Sequence, residues 1–235
     1  MANTNPPAPA LELMNVRFAY GGSNPFEIVV PSLRLEPGEQ VLLTGGSGTG
    51  KSTVLQIIAG LVDPQSGSVN IAGSRIHSFH GPARDRFRGA HIGMIFQTFN
   101  LLQGFSALEN VLAALMFSAV PKAEHRGRAS SLLATLGILK PESPAEMLSV
   151  GQQQRVAVAR AVASRPTLVL ADEPTASLDP ENAAGAIELI QQTCRESGAA
   201  LLCTSHDPAM KARFGRVESL DRLRGAPLVG AGAGA

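Results

Sequence analysis

The 235-residue sequence lacks features that mark nucleic-acid-binding and metal-binding proteins. It has no tryptophan, one tyrosine and two cysteines, and its net charge is only +1, with Lys+Arg 20 against Asp+Glu 19. Because positive and negative side chains are almost equal in number, the chain has no strong basic field to attract nucleic acid. We therefore expect no nucleic-acid partner. The cysteines, Cys194 and Cys203, do not have the spacing of a metal site. Two thiols in a chain of this size indicate a reducing compartment.

Long apolar runs are also missing. No run approaches the roughly 18 residues of a transmembrane helix. The first ten residues have neither a positive side chain nor the apolar stretch of a secretory signal. Residues 1–10 and the Ala/Gly-rich residues 225–235 are therefore expected to be flexible tails. Between them, residues 11–224 have the length of a single domain with a substantial core.

A glycine-rich stretch, Gly45–Thr53, fits the pattern of a phosphate-binding P-loop. A short apolar run, 40–44, precedes it and a helix-length segment follows, which is the strand–loop–helix context that the motif needs. Glycines let backbone N–H groups approach phosphate oxygens, and the helix N-terminus adds partial positive charge. We expect Lys51 to reach the β- and γ-phosphates of a nucleoside triphosphate and the Ser52 hydroxyl to ligate Mg²⁺. The expected nucleotide-binding residues of the loop are Gly45, Gly46, Ser47, Gly48, Thr49, Gly50, Lys51, Ser52 and Thr53.

Two acidic residues, Asp172 and Glu173, follow a continuous apolar run that is typical of a strand buried on both faces. Ligands of α/β sheets bind at the carboxyl ends of such strands, which favours Mg²⁺ binding by Asp172 and activation of a water by Glu173. Pro174 predicts an extended backbone at Glu173. His206 ends a later apolar run, and we expect it beside the acids, in reach of a γ-phosphate. The alternative is that the acids are solvated turn residues and the histidine a packing or surface residue.

The residues between these two regions have helical patterns. Ser106 and Glu109 fit an S-x-x-E capping box ahead of an apolar helix, and a second helix is predicted at 122–136. A helical subdomain, about 98–162, is thus expected to be inserted in the core. Gln97 ends the strand before it. Its amide could ligate Mg²⁺ or orient a water, although a lone glutamine there is by default a solvated turn residue.

Three other features allow two interpretations each. Ser149 is a good N-cap for a helix, and with Gly151 it could also form a second anion site, which would suit another subunit's nucleotide. Tyr20, the only tyrosine, could be a core or edge aromatic, or it could stack on an adenine base. The arginines in 84–88 could form a local basic patch, although a solvated face is about four times as common.

Strand-like patterns at 11–18 and 26–35 precede the P-loop, and Pro31 is expected to interrupt the second. Two strands ahead of the nucleotide-binding strand predict a small β-layer beside the main sheet.

In order along the chain, these motifs resemble those of the nucleotide-binding subunits of ABC (ATP-binding cassette) transporters. The resemblance extends from Leu11 to Leu223, and its signature motif separates this family from other P-loop proteins. The fold it implies is α/β, a RecA-like P-loop NTPase core with an antiparallel β subdomain and an inserted α-helical subdomain. The motifs are Tyr20 as the adenine-stacking aromatic, Gly45–Thr53 as Walker A, Gln97 as the Q-loop, Leu148–Gln152 as the signature, Leu168–Glu173 as Walker B, Ser177–Asp179 as the D-loop and His206 as the switch histidine.

The resemblance implies ATP and Mg²⁺ as cofactors and a head-to-tail homodimer that encloses two ATP molecules. The implied catalytic residues are Glu173 as general base, His206, Gln97 and Lys51. The implied Mg²⁺ ligands are Ser52, Gln97 and Asp172. Each ATP would lie on Tyr20 and the P-loop of one subunit, and under the signature helix of the other, where the implied contacts are Ser149, Gly151 and Gln152.

The implied function is ATP hydrolysis that powers a separate transmembrane permease, with the chain peripheral on the cytoplasmic side of the inner membrane. Within the family, the chain resembles lipoprotein-release, macrolide-export and cell-division (FtsE-like) cassettes, which favours an exporter or a substrate-extracting system. The alternatives are an ATPase that regulates a membrane complex without transport and a soluble non-transport ABC ATPase. Two departures are Val150, where the signature usually has glycine, and Ala176–Ser177, where this subgroup commonly has Gly-Asn.

Overall fold

A computed structural model describes most of the chain. The described residues are 7–21, 27–176 and 178–223. The predicted tail 225–235, most of the predicted tail 1–10 and Ser177 of the predicted D-loop lie outside them. Ala10, within the first predicted tail, is fully buried.

A parallel sheet with the strand order β6-β7-β8-β3-β9 forms the centre of the molecule. Its strands are β3 (Gln40–Thr44), β6 (Ile92–Ile95), β7 (Leu168–Asp172), β8 (Ala200–Ser205) and β9 (Arg216–Ser219). Alternate side chains of β3, β7 and β8 enter different cores on the two faces, which explains their continuous apolar runs. Because these strands are parallel and in register, Thr44, Asp172 and Ser205 lie at the same edge.

A second sheet is antiparallel, with the order β2-β1-β4-β5. Its strands are β1 (Leu11–Ala19), β2 (Glu27–Leu35), β4 (Ser66–Ile71) and β5 (Ser74–Arg75). The expectation that Pro31 interrupts β2 is wrong, since Val30 and Ser32 on either side of it both pair with β1. An edge strand tolerates proline because the missing N–H need not bond to a further strand.

Helices cover both faces of the parallel sheet. Seven α-helices lie in the described ranges, namely α1 (Lys51–Ile58), α2 (Pro82–His91), α3 (Ala107–Leu115), α4 (His125–Thr135), α5 (Val150–Val162), α6 (Pro180–Ser197) and α7 (Leu220–Leu223). Within those ranges, none is both long enough and apolar enough to cross a membrane.

The helical block α3–α5 lies between β6 and β7 in the chain, where an insertion was expected. The predicted capping box is present: Ser106 N donates to Glu109 Oε2 (2.7 Å), and Glu109 N donates to Ser106 Oγ (3.2 Å). The helix predicted at 122–136 is shorter, since a 3₁₀ turn at Lys122–Glu124 precedes α4.

Two arginines join α4 and α5, and each binds the carboxyl end of the other helix. Arg128 of α4 donates through Nε to the Ala163 carbonyl at the end of α5. Arg155 of α5 donates through Nη1 to the Leu136 carbonyl just past α4, at 3.0 Å. Cations at helix C-termini satisfy the last carbonyls and interact favourably with the helix dipole, so each helix stabilises the other.

Sequence analysis did not predict α2, and both interpretations of its arginines fail for Arg84 and Arg88. These side chains turn inward to the end of α1 rather than to solvent or to a basic patch. Arg84 Nη1 donates to Asp63 Oδ1 (2.7 Å), and Arg88 Nη1 donates to the Ala59 carbonyl (3.2 Å). Arg86, between them, is exposed. Arg84 and Arg88 are four residues apart, so they lie on one face of α2, and this face binds the end of α1.

Candidate functional site

The P-loop connects β3 to α1 and leaves the start of α1 open. Gly48 and Gly50 have φ values of 72° and 94°, which glycine adopts without strain. Gly50 is the N-cap of α1 and makes no side-chain capping hydrogen bond. A Cβ at Gly45 would lie 2.7 Å from Thr49 Oγ1, so any larger residue here would require the Thr49 side chain to shift. The backbone is thereby shaped to present N–H groups to an anion.

Lys51 lies at the base of this loop and is only 5% exposed. Its Nζ donates to the carbonyls of Gly45 and Gly46, both at 3.0 Å. The same Nζ lies 3.1 Å from Oε1 of Glu173. A buried ammonium with these partners is held in one position, where it can serve as a fixed positive charge.

Glu173 lies between two potential phosphate-binding side chains. Its Oε1 contacts Lys51, and its Oε2 lies 2.7 Å from His206 Nδ1. The Glu173 side chain is 16% exposed, so it is not a solvated turn residue. Three residues that are far apart in the sequence therefore meet at the carboxyl edge of the parallel sheet.

The prediction that Pro174 holds Glu173 in an extended conformation is wrong. Glu173 has φ +44°, in the left-handed region. Thr204 explains why: its Oγ1 accepts a hydrogen bond from Glu173 N (3.1 Å) and donates to Asp172 Oδ1 (2.8 Å). This bridge fixes the turn against a strain of about 1–3 kcal/mol that such a conformation costs. Sequence analysis missed Thr204, since only the pairing of β7 with β8 places it opposite Asp172.

A cleft of about 560 Å³ contains most of the predicted site. This volume is within the usual range for small-molecule pockets. Its lining residues are Tyr20, Ser47, Gly48, Gly50, Lys51, Ser52, Thr53, Gln97, Glu173 and His206. The structure thus brings the P-loop and the start of α1 together with residues that follow β1, β6, β7 and β8.

Tyr20 lies at the mouth of this cleft and is 46% exposed, so it is not a core aromatic. Its hydroxyl is hydrogen bonded to Thr53 Oγ1 in the first turn of α1, at 3.0 Å. Phe18 contacts its ring edge-to-face, with centroids 4.9 Å apart. These two contacts fix the ring while part of it stays accessible.

The residues predicted to bind Mg²⁺ fit the chemistry of that ion. Ser52 and Gln97 line the cleft, and Asp172 lies at the end of β7 beneath it. They offer hydroxyl, amide and carboxylate oxygens, which are hard ligands. In the described part of the chain, no cluster of three or more His, Cys, Asp or Glu residues could hold a metal alone. Mg²⁺ commonly takes one or two protein ligands and completes its shell with water and substrate phosphates.

The predicted signature residues lie outside the cleft. Ser149 is the N-cap of α5: its Oγ accepts from Gln152 N (3.3 Å), and Gln152 Oε1 accepts from Ser149 N (3.0 Å). Ser149, Gly151 and Gln152 are all exposed. A separate cavity of about 590 Å³ borders Ser149, Gly151 and the start of α6. One chain therefore does not bring its signature residues to its own P-loop.

Comparisons with known proteins identify the family. A family profile described as "ABC transporter" matches residues 30–176, more than half of the chain. The chain belongs to the ABC transporter family. It shares the ABC cassette fold and is an ATP hydrolase with ATP and Mg²⁺ as cofactors. The family resemblance and the α/β fold expected from the sequence are confirmed.

Individual relatives are similar over most of their length. The chain is 43% identical over 187 residues to lipoprotein-releasing system ATP-binding protein LolD 1 of Caulobacter vibrioides, covering 78% of this chain and 80% of that protein. It is 40% identical over 210 residues to LolD of Paramagnetospirillum magneticum, covering 88% and 93%. A third relative is the uncharacterised ABC transporter ATP-binding protein YbbA of Escherichia coli, 41% identical over 186 residues and covering 78% and 81%.

Solved structures include a dimer of MJ0796, a bacterial ABC transporter cassette, with TM-score 0.75 and 33% identity, covering 89% of this chain and 93% of that one. The same cassette was solved as a post-hydrolysis dimer bound to ADP and Pi, with TM-score 0.74, 33% identity and the same coverage.

Proposed function

We propose that the chain is the ATP-hydrolysing subunit of an ABC transporter and acts as a head-to-tail homodimer beneath a separate transmembrane permease. The observation that carries this proposal is the position of Glu173, whose carboxylate contacts both Lys51 and His206 in the cleft. This contact supports a shared role for the three residues in one reaction, and the signature residues are exposed outside the cleft.

Each cleft residue has a role in hydrolysis under this proposal. The P-loop N–H groups and Lys51 bind the β- and γ-phosphates. Glu173 accepts a proton from the water that attacks the γ-phosphorus, while the bond to the bridging oxygen breaks and ADP leaves. His206 contacts the γ-phosphate and steadies Glu173 through the 2.7 Å contact. Lys51 and Glu173, 3.1 Å apart, are close enough to act on the same phosphoryl group.

Ser52, Gln97 and Asp172 would hold Mg²⁺. When bound, the ion would supply positive charge that offsets the negative charge of the phosphates during hydrolysis. Asp172 is positioned for this by Thr204, whose hydroxyl binds one carboxylate oxygen. Tyr20 presents its accessible ring face to the adenine base.

Dimerisation would complete the site. Ser149, Gly151 and Gln152 are exposed at the start of α5, so a second copy can place them over the cleft of the first. MJ0796, a cassette of the same fold, is a dimer. Hydrolysis removes the anion shared by the two subunits, which lets the dimer open.

The permease would dock beside the Q-loop. A largely apolar cavity of about 410 Å³ lies between α2, β6 and the ends of α3 and α5, and Arg160 is among its lining residues. Phe96 and Phe117 line it, and Met116, next to Phe117, is 75% exposed. An exposed apolar surface of this kind suits a protein partner. Movement of the Gln97 segment would therefore be transmitted to the permease.

The finer assignment is transport of lipoproteins out of the inner membrane, with this subunit peripheral on the cytoplasmic side. It is supported by the similarity to the LolD proteins, which are lipoprotein-releasing system components. Substrate specificity would lie in the permease, because the cleft of this chain is built for a nucleotide.

Replacing Glu173 with glutamine tests the proposal. We expect kcat to fall about 10²–10⁴-fold because the base is lost, while ATP binding persists and an ATP-dependent dimer accumulates. ATPase assays and size-exclusion chromatography with and without ATP measure both effects. Near-normal turnover would overturn the assignment of Glu173 as the base.

The same variant identifies the partner. Purified with ATP from membranes, Glu173→Gln protein is expected to retain its permease, identified by mass spectrometry. Recovery with DNA or ribosomes instead would favour a soluble, non-transport ATPase. Co-purification with a membrane complex that moves no substrate in reconstituted vesicles would favour the regulatory alternative.

A further inference from the structure

Arg160 of α5 holds the backbone of the segment that follows Gln97. Its Nη1 donates to the Asn100 carbonyl and its Nη2 to the Phe99 carbonyl, both at 2.6 Å. The planar guanidinium is suited to such paired acceptors, which a lysine ammonium cannot bridge with the same geometry. Burial lowers the pKa of Arg160, but an arginine remains charged at physiological pH. Its two hydrogen bonds are therefore charge-assisted.

The segment needs this support because its backbone is strained. Phe99 and Asn100 have φ values of 59° and 46°, two successive non-glycine residues in the left-handed region. Each such residue costs about 1–3 kcal/mol unless its surroundings fix it. Internal contacts such as Thr98 Oγ1 to Asn100 Oδ1 (2.7 Å) shape the turn, but only Arg160 among the described contacts ties both strained carbonyls to α5. Gln97 lies two residues before this turn, so Arg160 links the backbone that follows Gln97 to α5.

The end of α5 that carries Arg160 is fixed on the core. A Cβ on Gly93 of β6 would lie 2.1 Å from the Ala161 carbonyl, so the two backbones are in direct contact. The opposite end of α5 begins at Ser149 and is exposed. Arg160 is eleven residues after Ser149, a span of about 16 Å along the helix. One helix, buried along its middle, therefore carries the signature residues at its exposed start and Arg160 near its carboxyl end.

We propose that Arg160 is a positioning residue that links the signature end of α5 to Gln97. Contact of Ser149 with the nucleotide of a second subunit would displace α5 as one element. Arg160 would carry that displacement to the Phe99–Asn100 turn and set Gln97 in the cleft of its own subunit. Each site would then respond to occupancy of the other. This inference rests on the proposed composite site, and it adds a residue that joins the two half-sites.

Arg128 provides a matched control. It is also an arginine whose pKa is lowered by burial, and it also donates to backbone carbonyls, those of Ala163 and Val162 at the end of α5. It supports the same helix end from α4 without bonding to the Gln97 segment. A variant without Arg128 therefore shows what weaker support of α5 does to the protein. A variant without Arg160 shows the same effect together with any effect on the Gln97 segment.

The first test compares Arg160→Met, Arg160→Lys and Arg128→Met in the full-length protein. We expect Arg160→Met to raise the Mg²⁺ concentration for half-maximal ATPase about tenfold, as losses of outer-shell partners do. Hydrogen exchange of amides 97–101 should also become faster. Arg160→Lys should fall between Arg160→Met and the wild type. Arg128→Met should lower Tm while leaving the Mg²⁺ dependence and the exchange of 97–101 unchanged.

The second test is a double-mutant cycle with Ser149→Ala. If Arg160 links nucleotide contact at Ser149 to Gln97, Ser149→Ala should change the Mg²⁺ concentration for half-maximal ATPase in the otherwise wild-type protein. The same substitution should change it much less in Arg160→Met. Additive shifts would overturn the proposal. So would an Arg160→Met protein that differs from the wild type only in Tm, as Arg128→Met is expected to.

Two results separate this inference from the proposed function. A wild-type protein with no ATPase and no ATP-dependent dimer would contradict the proposed function itself. An active wild type with wild-type Mg²⁺ dependence and exchange in Arg160→Met would contradict only the role of Arg160. If Arg160→Met does not give a cooperative melting transition, Arg160→Lys provides the same comparison with a smaller expected effect.

Discussion

Helices α1 and α5 both begin where a nucleotide phosphate is proposed to bind, but their starts are built differently. The N-cap of α1 is Gly50, which makes no side-chain capping hydrogen bond. The N-cap of α5 is Ser149, which forms a reciprocal capping box with Gln152. The start of α1 opens into a deep cleft of its own chain, and the start of α5 is exposed. Only α1 presents a ready anion site within one subunit.

The opposite ends of these helices are also held differently. Side chains from α2 and the turn before it fix the end of α1: His77 Nε2 lies 3.0 Å from the Ile57 carbonyl, and Arg84 and Arg88 donate to the Gly60 carbonyl. The carboxyl end of α5 is held by Arg128 of α4, and the middle of the helix is packed in the core, where Val156 and Ala157 are fully buried. The comparison shows one half-site in a cleft at the start of α1 and one exposed half-site at the start of α5.

The largest expected effect comes from breaking the α1 half-site at Lys51. Lys51→Ala removes a buried charge that would bind phosphate, so we expect ATP affinity to fall about 10²-fold, as charged hydrogen bonds of 1.5–3 kcal/mol predict. Titration with a fluorescent ATP analogue measures this. Lys140→Ala, at an exposed lysine outside the cleft, is the control. Equal affinities of the two variants would contradict the assigned role.

A smaller effect is expected from loosening the far end of α1. Arg84→Met removes the bonds to Asp63 and to the carbonyls of Gly60 and Phe79. We expect the free energy of unfolding to fall by about 1–2 kcal/mol, measured by urea denaturation. Arg86→Met, on the exposed face of the same helix, should change it by less than about 0.5 kcal/mol. Similar losses in both variants would mean that α2 does not fix α1 through Arg84.

The stability contributed by the contacts of Asp63 with His77 and Arg84 depends on pH, and the sign of this dependence follows from the pKa of Asp63. The hydrogen bond from His77, together with Arg84, holds the pKa of the Asp63 carboxyl below its usual range. Its stabilising contribution is therefore present above the unfolded-state pKa of the carboxyl and is lost as pH falls through the lowered folded-state pKa.

Local signals were sufficient to predict the P-loop, the buried strands and the capping box at Ser106. Each depends on residues that are close in the sequence and on physics that acts within one turn or one strand. The parallel sheet then assembled the cleft, because Gln97, Glu173 and His206 all follow strand ends. When polar and charged residues directly follow apolar strand patterns in this way, many of the residues that line a site can be predicted from the sequence.

The remaining features depend on partners that only the folded chain provides. The conformation of Glu173 follows from Thr204 on a neighbouring strand, which overrides the preference imposed by Pro174. Arg84 looked like a surface residue because its acceptors, at the end of α1, cannot be inferred from the helix itself. Arg160 gave no signal because its acceptors are backbone carbonyls 60 and 61 residues away in the chain.

The central claim, that each ATP site is shared by two subunits, is tested most directly by mixing two inactive variants. Lys51→Ala lacks the P-loop half of the site and keeps its signature, whereas Ser149→Arg blocks the signature half and keeps its P-loop. About half of the dimers in an equal mixture combine one of each, and each of these has one intact site. We predict that mixing restores up to about a quarter of wild-type ATPase activity, whereas neither variant is active alone. No activity above the sum of the two separate variants would contradict the shared site.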